Sequence, residues 1–238
     1  MSGRLNDLLE RRELRDLPLA RRRMRDRIAA LGVPDRIVSA MDAVPRHAFV
    51  PGAWWRLAYA EPGLWLPSGA FLPAPEATAR ILAGLDPSET SRILELGTGT
   101  GYLTALLGLM CESVLTIDTI DLTDGVLAAA NLPAVRQAIT TGETIWRSEP
   151  AFDALLTLAP ISGPPSILLD HARRLVFVSG LAGGPQRLLL ARPDGAGGAS
   201  RVDDLGPLIV PSPDMARAVT TGGVIGVPAG GGNLEGGA

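Results

Sequence analysis

Residues Ile93-Leu94-Glu95-Leu96-Gly97-Thr98-Gly99-Thr100-Gly101-Tyr102 carry the strongest chemical signal in this chain: an apolar run passes into three alternating glycines and then into a second apolar stretch. Such glycines let the backbone approach a ligand closely at positive φ, and the first free N–H groups of a following helix face the same space. The spacing of Gly97, Gly99 and Gly101, with Thr98 between them, is G-x-G-x-G rather than the G-x-G-x-x-G of dinucleotide sites. Asp118 ends the next apolar run, Val114-Leu115-Thr116-Ile117-Asp118, where a carboxylate can accept both hydroxyls of a ribose. A tight strand-to-helix turn with a solvated strand-end acid would read the same way. Glu95, ahead of the loop, either stands on the pocket floor or pins the loop by hydrogen bonds. Glu143, in Thr141-Gly142-Glu143-Thr144, follows a later strand, where it could meet an adenine ring or remain a solvated loop acid.

The elements around these residues must hold them at one edge of a sheet. Apolar runs bounded by turn residues predict strands at Arg92 to Leu96, Ser113 to Asp118, Ala138 to Thr140, Ala154 to Leu158, Leu175 to Ser179, Arg187 to Arg192 and Leu208 to Val210. Helices are expected at Pro75 to Leu85 and Tyr102 to Met110, and the alternation indicates an α/β, Rossmann-like doubly wound sheet. The turn Gly180 to Gly184 is too short for a crossover, so the strands it joins are antiparallel and the sheet is mixed. Leu5 to Leu31 reads as an amphipathic helical arm broken near Pro18, followed by a short helix capped by Asp35 and showing Ile37, Val38 and Met41 on one face. The chain then divides into 1–74, an arm with a covering loop; 75–213, a cofactor domain; and 214–238, a glycine-rich flexible tail. Glycine loop, ribose acid and mixed sheet together favour S-adenosylmethionine over a nicotinamide, because a sulfonium and an ammonium suit an acid-lined pocket.

Composition narrows the remaining classes. The 238 residues carry a net charge of −3, which offers no basic field for nucleic acid. All 22 basic residues are Arg, which excludes Schiff-base chemistry and a phosphate-loop lysine. A single cysteine, Cys111, excludes an internal disulfide and four-Cys metal sites, and fits a reducing compartment. No metal is expected. No apolar run reaches the length of a membrane span, so a cytoplasmic protein without membrane or nucleic-acid partners is the expectation.

Met41-Asp42-Ala43-Val44-Pro45-Arg46-His47-Ala48-Phe49-Val50-Pro51, Ala58-Tyr59, the glycine loop, Thr116-Ile117-Asp118, Phe152-Asp153-Ala154, Pro164-Pro165, Val178-Ser179-Gly180 and Gln186-Arg187-Leu188-Leu189-Leu190 together resemble the protein-L-isoaspartate O-methyltransferases, a class I S-adenosylmethionine-dependent family. The likeness runs from about residue 20 to 213, and its Val-Pro-Arg-(x)2-Phe-Val-Pro string is specific to that family. It implies that Gly97, Gly99 and Gly101 hold the cofactor, that Asp118 replaces a ribose-binding Glu, and that Glu143 replaces the Asp of a Gly-Asp-Gly motif. The substrate would be a protein or peptide bearing an Asp or isoAsp carboxylate. The sequence departs where the family offers hydroxyls to that carboxylate: Gly69-Ala70-Phe71-Leu72-Pro73-Ala74-Pro75 sets Phe71 and Pro73 at those places, and Ser68 is the nearest hydroxyl. Each missing bond to a buried oxygen costs about 1–3 kcal/mol, which argues against ordinary isoaspartyl repair and for a rewritten specificity such as one dedicated peptide.

Carboxyl methylation needs alignment and desolvation but no base, because a carboxyl of pKa about 4 is already ionised at neutral pH. The candidates on the substrate side are Ser68, Phe71 and Arg46, the last able to grip a carboxylate or to form a structural ion pair. His47 is the one base near the expected pocket and fits a structural role. His171, expected in a helix, reads as exposed. Trp54, Trp55, Tyr59 and Trp65 form either a peptide groove or a hydrophobic cover, and Pro160 marks the rim. Methylation of another small nucleophile and a silent cofactor-binding module are the competing readings.

Overall fold

In a computed structural model of the chain, residues 2–208 are described apart from 62, 141–143, 162–163, 165, 181–184 and 194–200. The expected tail and the predicted turn 181–184 lie outside the described residues, as does Glu143. The arm is a single helix, α1 (Ser2–Ala30), which contains Pro18 without breaking there. Proline inside a helix costs about 3 kcal/mol. Leu17, Met24 and Ile28 are buried in the main core, and at about 1.5–3 kcal/mol each their burial outweighs that cost. α2 (Asp35–Ala43) begins after Pro34, so Asp35 sits in the first turn and not at the cap, with no side-chain capping bond. There it still complements the helix dipole. Ile37, Ala40 and Met41 are its buried residues, while Val38 is half-buried.

Two single 3-10 turns, at Arg46–Phe49 and Gly52–Trp54, lead to a small hairpin of β1 (Leu64–Trp65) and β2 (Phe71–Leu72). α3 (Pro75–Leu85) follows, with proline pre-setting its first turn. Its C-cap, Asp86, is left-handed at φ 50. β3 (Arg92–Leu96), α4 (Tyr102–Met110) and β4 (Ser113–Asp118) have the expected bounds. Next come α5 (Val126–Ala130), β5 (Val135–Ile139), α6 (Thr144–Arg147), β6 (Ala154–Ile161) and α7 (Ser166–Leu169). β7 (Leu175–Gly180), β8 (Gln186–Arg192) and β9 (Arg201–Pro207) complete the described chain.

The seven-stranded sheet runs β5-β4-β3-β6-β7-β8-β9, parallel from β5 to β7 and antiparallel at β8 and β9, so the mixed doubly wound reading holds. The last strand among the described residues is β9, and of the predicted strand Leu208 to Val210 only Leu208 is described. Leu208 only donates its N–H to Gln186 O, and 209–210 lie outside the described residues. β9 escapes a search for apolar runs because it is a charged edge, its Asp203 and Asp204 paired with Arg192 and Arg187 across the ladder.

Strand residues alternate between two buried clusters. Ile93, Val114, Leu156 and Val176 face the main core with α1 to α4, whereas Leu94, Leu115, Leu155 and Phe177 face the other side with Trp146 and Phe152. The period of two therefore sends Glu95, like Ile93, toward α4.

Candidate functional site

Strand order reverses between β3 and β6. In open α/β sheets the crevice beyond the carboxyl ends at such a reversal is where ligands bind. Here the crevice is a cavity of about 240 Å3, with Glu95 and the glycine loop after β3 on one side and Leu158, Ala159 and Pro160 from the end of β6 on the other. The register slips between Thr157 and Pro160, which turns that rim out of the ladder.

Gly97 takes φ 98 and Gly99 φ 54, values that ordinary side chains rarely tolerate. A Cβ on Gly97 would meet no atom within 4 Å, whereas one on Gly99 would stand 3.5 Å from the Phe71 carbonyl oxygen. Gly97 N–H donates to Ile117 O at 2.7 Å and Gly101 N–H to Thr98 O at 2.9 Å, so neighbouring backbone fixes the loop. Asp118 braces it further: Oδ2 accepts from Gly99 N at 3.1 Å and Oδ1 from Thr119 N at 2.7 Å.

Glu95 lies on the cavity floor, 1% exposed. Its Oε2 accepts from Thr104 Oγ1 of α4 at 2.5 Å and from Thr116 Oγ1 of β4 at 2.8 Å, and Thr116 also meets Thr98 Oγ1 at 2.8 Å. Burial pushes the carboxyl up to about 7, against the two hydroxyl bonds, and nearby Asp118 adds to the rise. Glu95 thus both lines the cavity and ties β3 to β4 and α4. The supporting threonines were not singled out from the sequence. Their only signal there is a polar residue inside an apolar strand and another inside an apolar helix.

The opposite wall is the stretch from Gly69 to Pro73, with Phe71 half-buried against Trp65 at a ring separation of 5.4 Å. Ser68 lies one step beyond this wall and is exposed. Its Oγ accepts from Ala70 N at 3.3 Å, and it lines a second cavity of about 380 Å3 with Phe49, Val50, Asp121 and Asp124. The two cavities share Thr100 and Leu122. Asp121, also missed in the sequence, accepts from Thr123 Oγ1 and N, and these bonds hold it below the usual carboxylate range.

Arg46 lines neither cavity. It is fully buried, with its guanidinium donating to Ala58 O and Pro73 O and lying 4.9 Å over the Tyr102 ring. Burial lowers it to about 10. The bond to Pro73 makes it a brace for the Gly69 to Pro73 wall. His47 Nδ1 lies 2.7 Å from Tyr59 OH, and burial followed by Arg21 lowers its pKa. His171 follows α7 instead of lying within a helix and is half-buried, edge-on to Trp146 at 5.0 Å. Trp54 and Trp55 are partly buried against the main core and Tyr59 is buried in it, while Trp65 lines the first cavity.

The described lining of the first cavity includes two carboxylates, Glu95 and Asp118, and no cationic side chain. Such a lining disfavours a phosphate-bearing cofactor and fits a sulfonium and an ammonium. The open space over Gly97 accommodates close approach of a ligand. The residues present therefore fit S-adenosylmethionine.

The sequence matches the family model of protein-L-isoaspartate(D-aspartate) O-methyltransferase over residues 22–170. It is 33% identical over 162 residues to protein-L-isoaspartate O-methyltransferase 2 of Nitrosococcus oceani, covering 65% of this chain and 74% of that protein. With the protein-L-isoaspartate O-methyltransferase of Serratia proteamaculans it shares 34% over 156 residues, 61% of this chain and 74% of the relative. A protein-L-isoaspartate O-methyltransferase structure from Plasmodium falciparum, in complex with S-adenosyl-L-homocysteine, superposes with a TM-score of 0.64 at 17% identity, covering 79% of this chain and 95% of that one. The sequence match takes in α2, the Gly69 to Pro73 wall, the glycine loop and the strand ending at Asp118, so it spans both sides of the cavity, and on that ground the chain belongs to the protein-L-isoaspartate(D-aspartate) O-methyltransferase family of S-adenosylmethionine-dependent methyltransferases.

Proposed function

We propose that this methyltransferase esterifies an Asp or isoAsp carboxylate of one dedicated peptide, in place of damaged proteins at large. The supporting observation is the wall from Gly69 to Pro73: it faces the glycine loop, bears no side-chain hydroxyl, and presses the Phe71 carbonyl toward Gly99. Of the hydroxyls in the cavity, Thr98 is engaged with Thr116, while Thr100 Oγ1 accepts from Tyr102 N at 3.3 Å. A substrate that brings its own turn or ring to position the carboxylate would not need hydroxyls from this wall.

S-adenosylmethionine supplies a methyl group on a positively charged sulfur. Gly97 and Gly99 would give the close backbone surface for it, Asp118 would accept ribose hydroxyls, and Glu95 would offer negative charge from the floor. Phe71, Leu103, Leu122 and Leu158 line the same cavity and exclude water. The substrate carboxylate, ionised at neutral pH, would take up that methyl group directly, and the opposite charges would cancel. No proton moves. Loss of charge is favoured where water is excluded, and the chain's task is alignment. In the substrate, the next backbone nitrogen then attacks the ester carbonyl, and methanol departs with the nitrogen's proton to leave a succinimide. Cys111, a buried free thiol, agrees with a cytoplasmic setting.

The test supplies the purified chain with S-adenosylmethionine and either an isoaspartyl peptide or an acidic peptide encoded beside its gene. A gain of one methyl group, lost as methanol in mild base, is expected, and faster on the neighbour-encoded peptide. Binding of S-adenosylhomocysteine with no carboxyl methylation of either peptide would overturn the proposal, and a base-stable methyl would assign a different nucleophile.

A further inference from the structure

A third cavity, of about 410 Å3, opens between α1 and the end of α2, well apart in sequence from the glycine loop. Arg21, Arg22 and Arg25 line it from one face of α1, and Asp42 and His47 close it. Pro18, Arg22 and Arg25 fall at successive helical turns, and Arg21 lies between them and the buried stripe of Leu17, Met24 and Ile28, of which Leu17 also lines the cavity. Asp42 answers only one of the three guanidinium groups, accepting from Arg21 Nε at 3.2 Å. Arg25 touches the exposed Asp26 beside it at 3.2 Å, a contact of little worth between solvated neighbours, and Arg22 has no ion pair among the described residues. With His47 held below its usual range by burial and by Arg21, the lining carries three positive charges against one negative.

That local excess sits in a chain whose net charge is −3 and which would otherwise repel an anionic partner. Its position ties it to the site already described. His47 borders the arginine cleft, the following residues Ala48, Phe49, Val50 and Pro51 wall the second cavity, and that cavity shares Thr100 and Leu122 with the cofactor cavity. A peptide whose reacting carboxylate lies at the cofactor cavity can thus extend along this segment onto α1. Asp121 and Asp124 line the second cavity and would repel an acidic stretch there, which leaves the α1 cleft as the place for it.

We infer that the cleft formed by Arg21, Arg22 and Arg25 is a docking site for an acidic stretch of the peptide substrate, flanking the residue that is methylated. The inference rests on the proposed peptide substrate and adds a recognition element outside the reacting centre. It makes α1 a determinant of specificity, with guanidinium forks suited to side-chain carboxylates.

Two fluorescein-labelled peptides test it, each with one isoaspartate and flanked by four glutamates or by four glutamines. Anisotropy with the full chain should show the glutamate peptide binding about tenfold more tightly at low salt, with the difference shrinking as ionic strength rises. Replacing Arg22→Ser and Arg25→Ser together should remove that preference and raise KM for the glutamate peptide without changing kcat or S-adenosylhomocysteine affinity. The charge-matched control Arg23→Ser with Arg173→Ser should retain the preference. Equal affinity of the wild-type chain for both peptides overturns the inference, as does an equal loss in the control. Displacement of the glutamate peptide by a short single-stranded oligonucleotide at lower concentration than by unlabelled peptide would also overturn it, in favour of a nucleic-acid contact. If neither peptide is methylated, the proposed activity fails, while the anisotropy difference still decides the cleft.

Discussion

Replacing Glu95 by Gln should stabilise the protein at alkaline pH while weakening its hold on S-adenosylmethionine. The carboxyl is 1% exposed, and burial raises it from 4.5 to about 7 despite the bonds from Thr104 and Thr116. A raised carboxyl binds its proton more tightly in the folded chain than in the unfolded one, so stability is greatest below the unfolded value and declines as pH rises toward 7. The shift of about 2.5 units corresponds to about 3 kcal/mol at 1.36 kcal/mol per unit. Roughly 1 kcal/mol of this is already lost at pH 5.5, which leaves about 2 kcal/mol to be lost between pH 5.5 and pH 8. Gln keeps an oxygen for the two threonine hydroxyls but does not titrate. Thermal unfolding of both proteins at the two pH values should therefore show the variant's advantage growing by about 5 °C from the lower pH to the higher. Comparison with wild type cancels the titration of every group the two proteins share. Calorimetry at pH 8 should show weaker S-adenosylmethionine binding by the variant, because the floor has lost its charge. An advantage that is absent, or equal at both pH values, would refute a buried Glu95 ionising at a cost to the fold.

Arg46→Met should lower stability by about 2–6 kcal/mol, because the buried carbonyls of Ala58 and Pro73 lose their donor; urea unfolding measures it, and unchanged stability with a raised peptide KM would return Arg46 to a substrate-binding role. Asp118→Asn should weaken S-adenosylhomocysteine at least tenfold by calorimetry and, by losing one of the two backbone bonds to Gly99 and Thr119, lower stability by about 0.5–1.5 kcal/mol; retained affinity would remove Asp118 from the ribose site. Phe71→Thr combined with Pro73→Ser should raise methylation of ordinary isoaspartyl peptides about tenfold or more, one restored hydrogen bond being worth about 1–3 kcal/mol; no gain would show that the wall's hydroxyls do not limit that reaction.

β3, α4 and β4 were legible to the residue because each is a short apolar run closed by glycine, by a change of period or by a charged end. The glycine loop was legible because its geometry is a property of glycine itself, needed at φ 98 and φ 54. Where burial competes with local preference the reading faltered. Pro18 signals a break, yet α1 continues because Leu17, Met24 and Ile28 pack on distant elements. β9 went unpredicted because Asp203 and Asp204 break the apolar pattern, and they are satisfied only by Arg192 and Arg187 of the neighbouring strand.

The amino-acid order by itself determined the cofactor side: which strand meets the glycines, which acid ends the next strand, and that the residues from Gly69 to Pro73 bear no hydroxyl. Those are local properties, set by backbone freedom and by the period of two. Tertiary structure alone decided what each charge does. Glu95 became a buried carboxyl at about 7 only when α4 and β4 closed over it, and Arg46 became a brace between Ala58 and Pro73. Arg21, Arg22 and Arg25 became one lining only when α2 was brought against α1. Desolvation and long-range pairing depend on neighbours that no stretch of sequence contains.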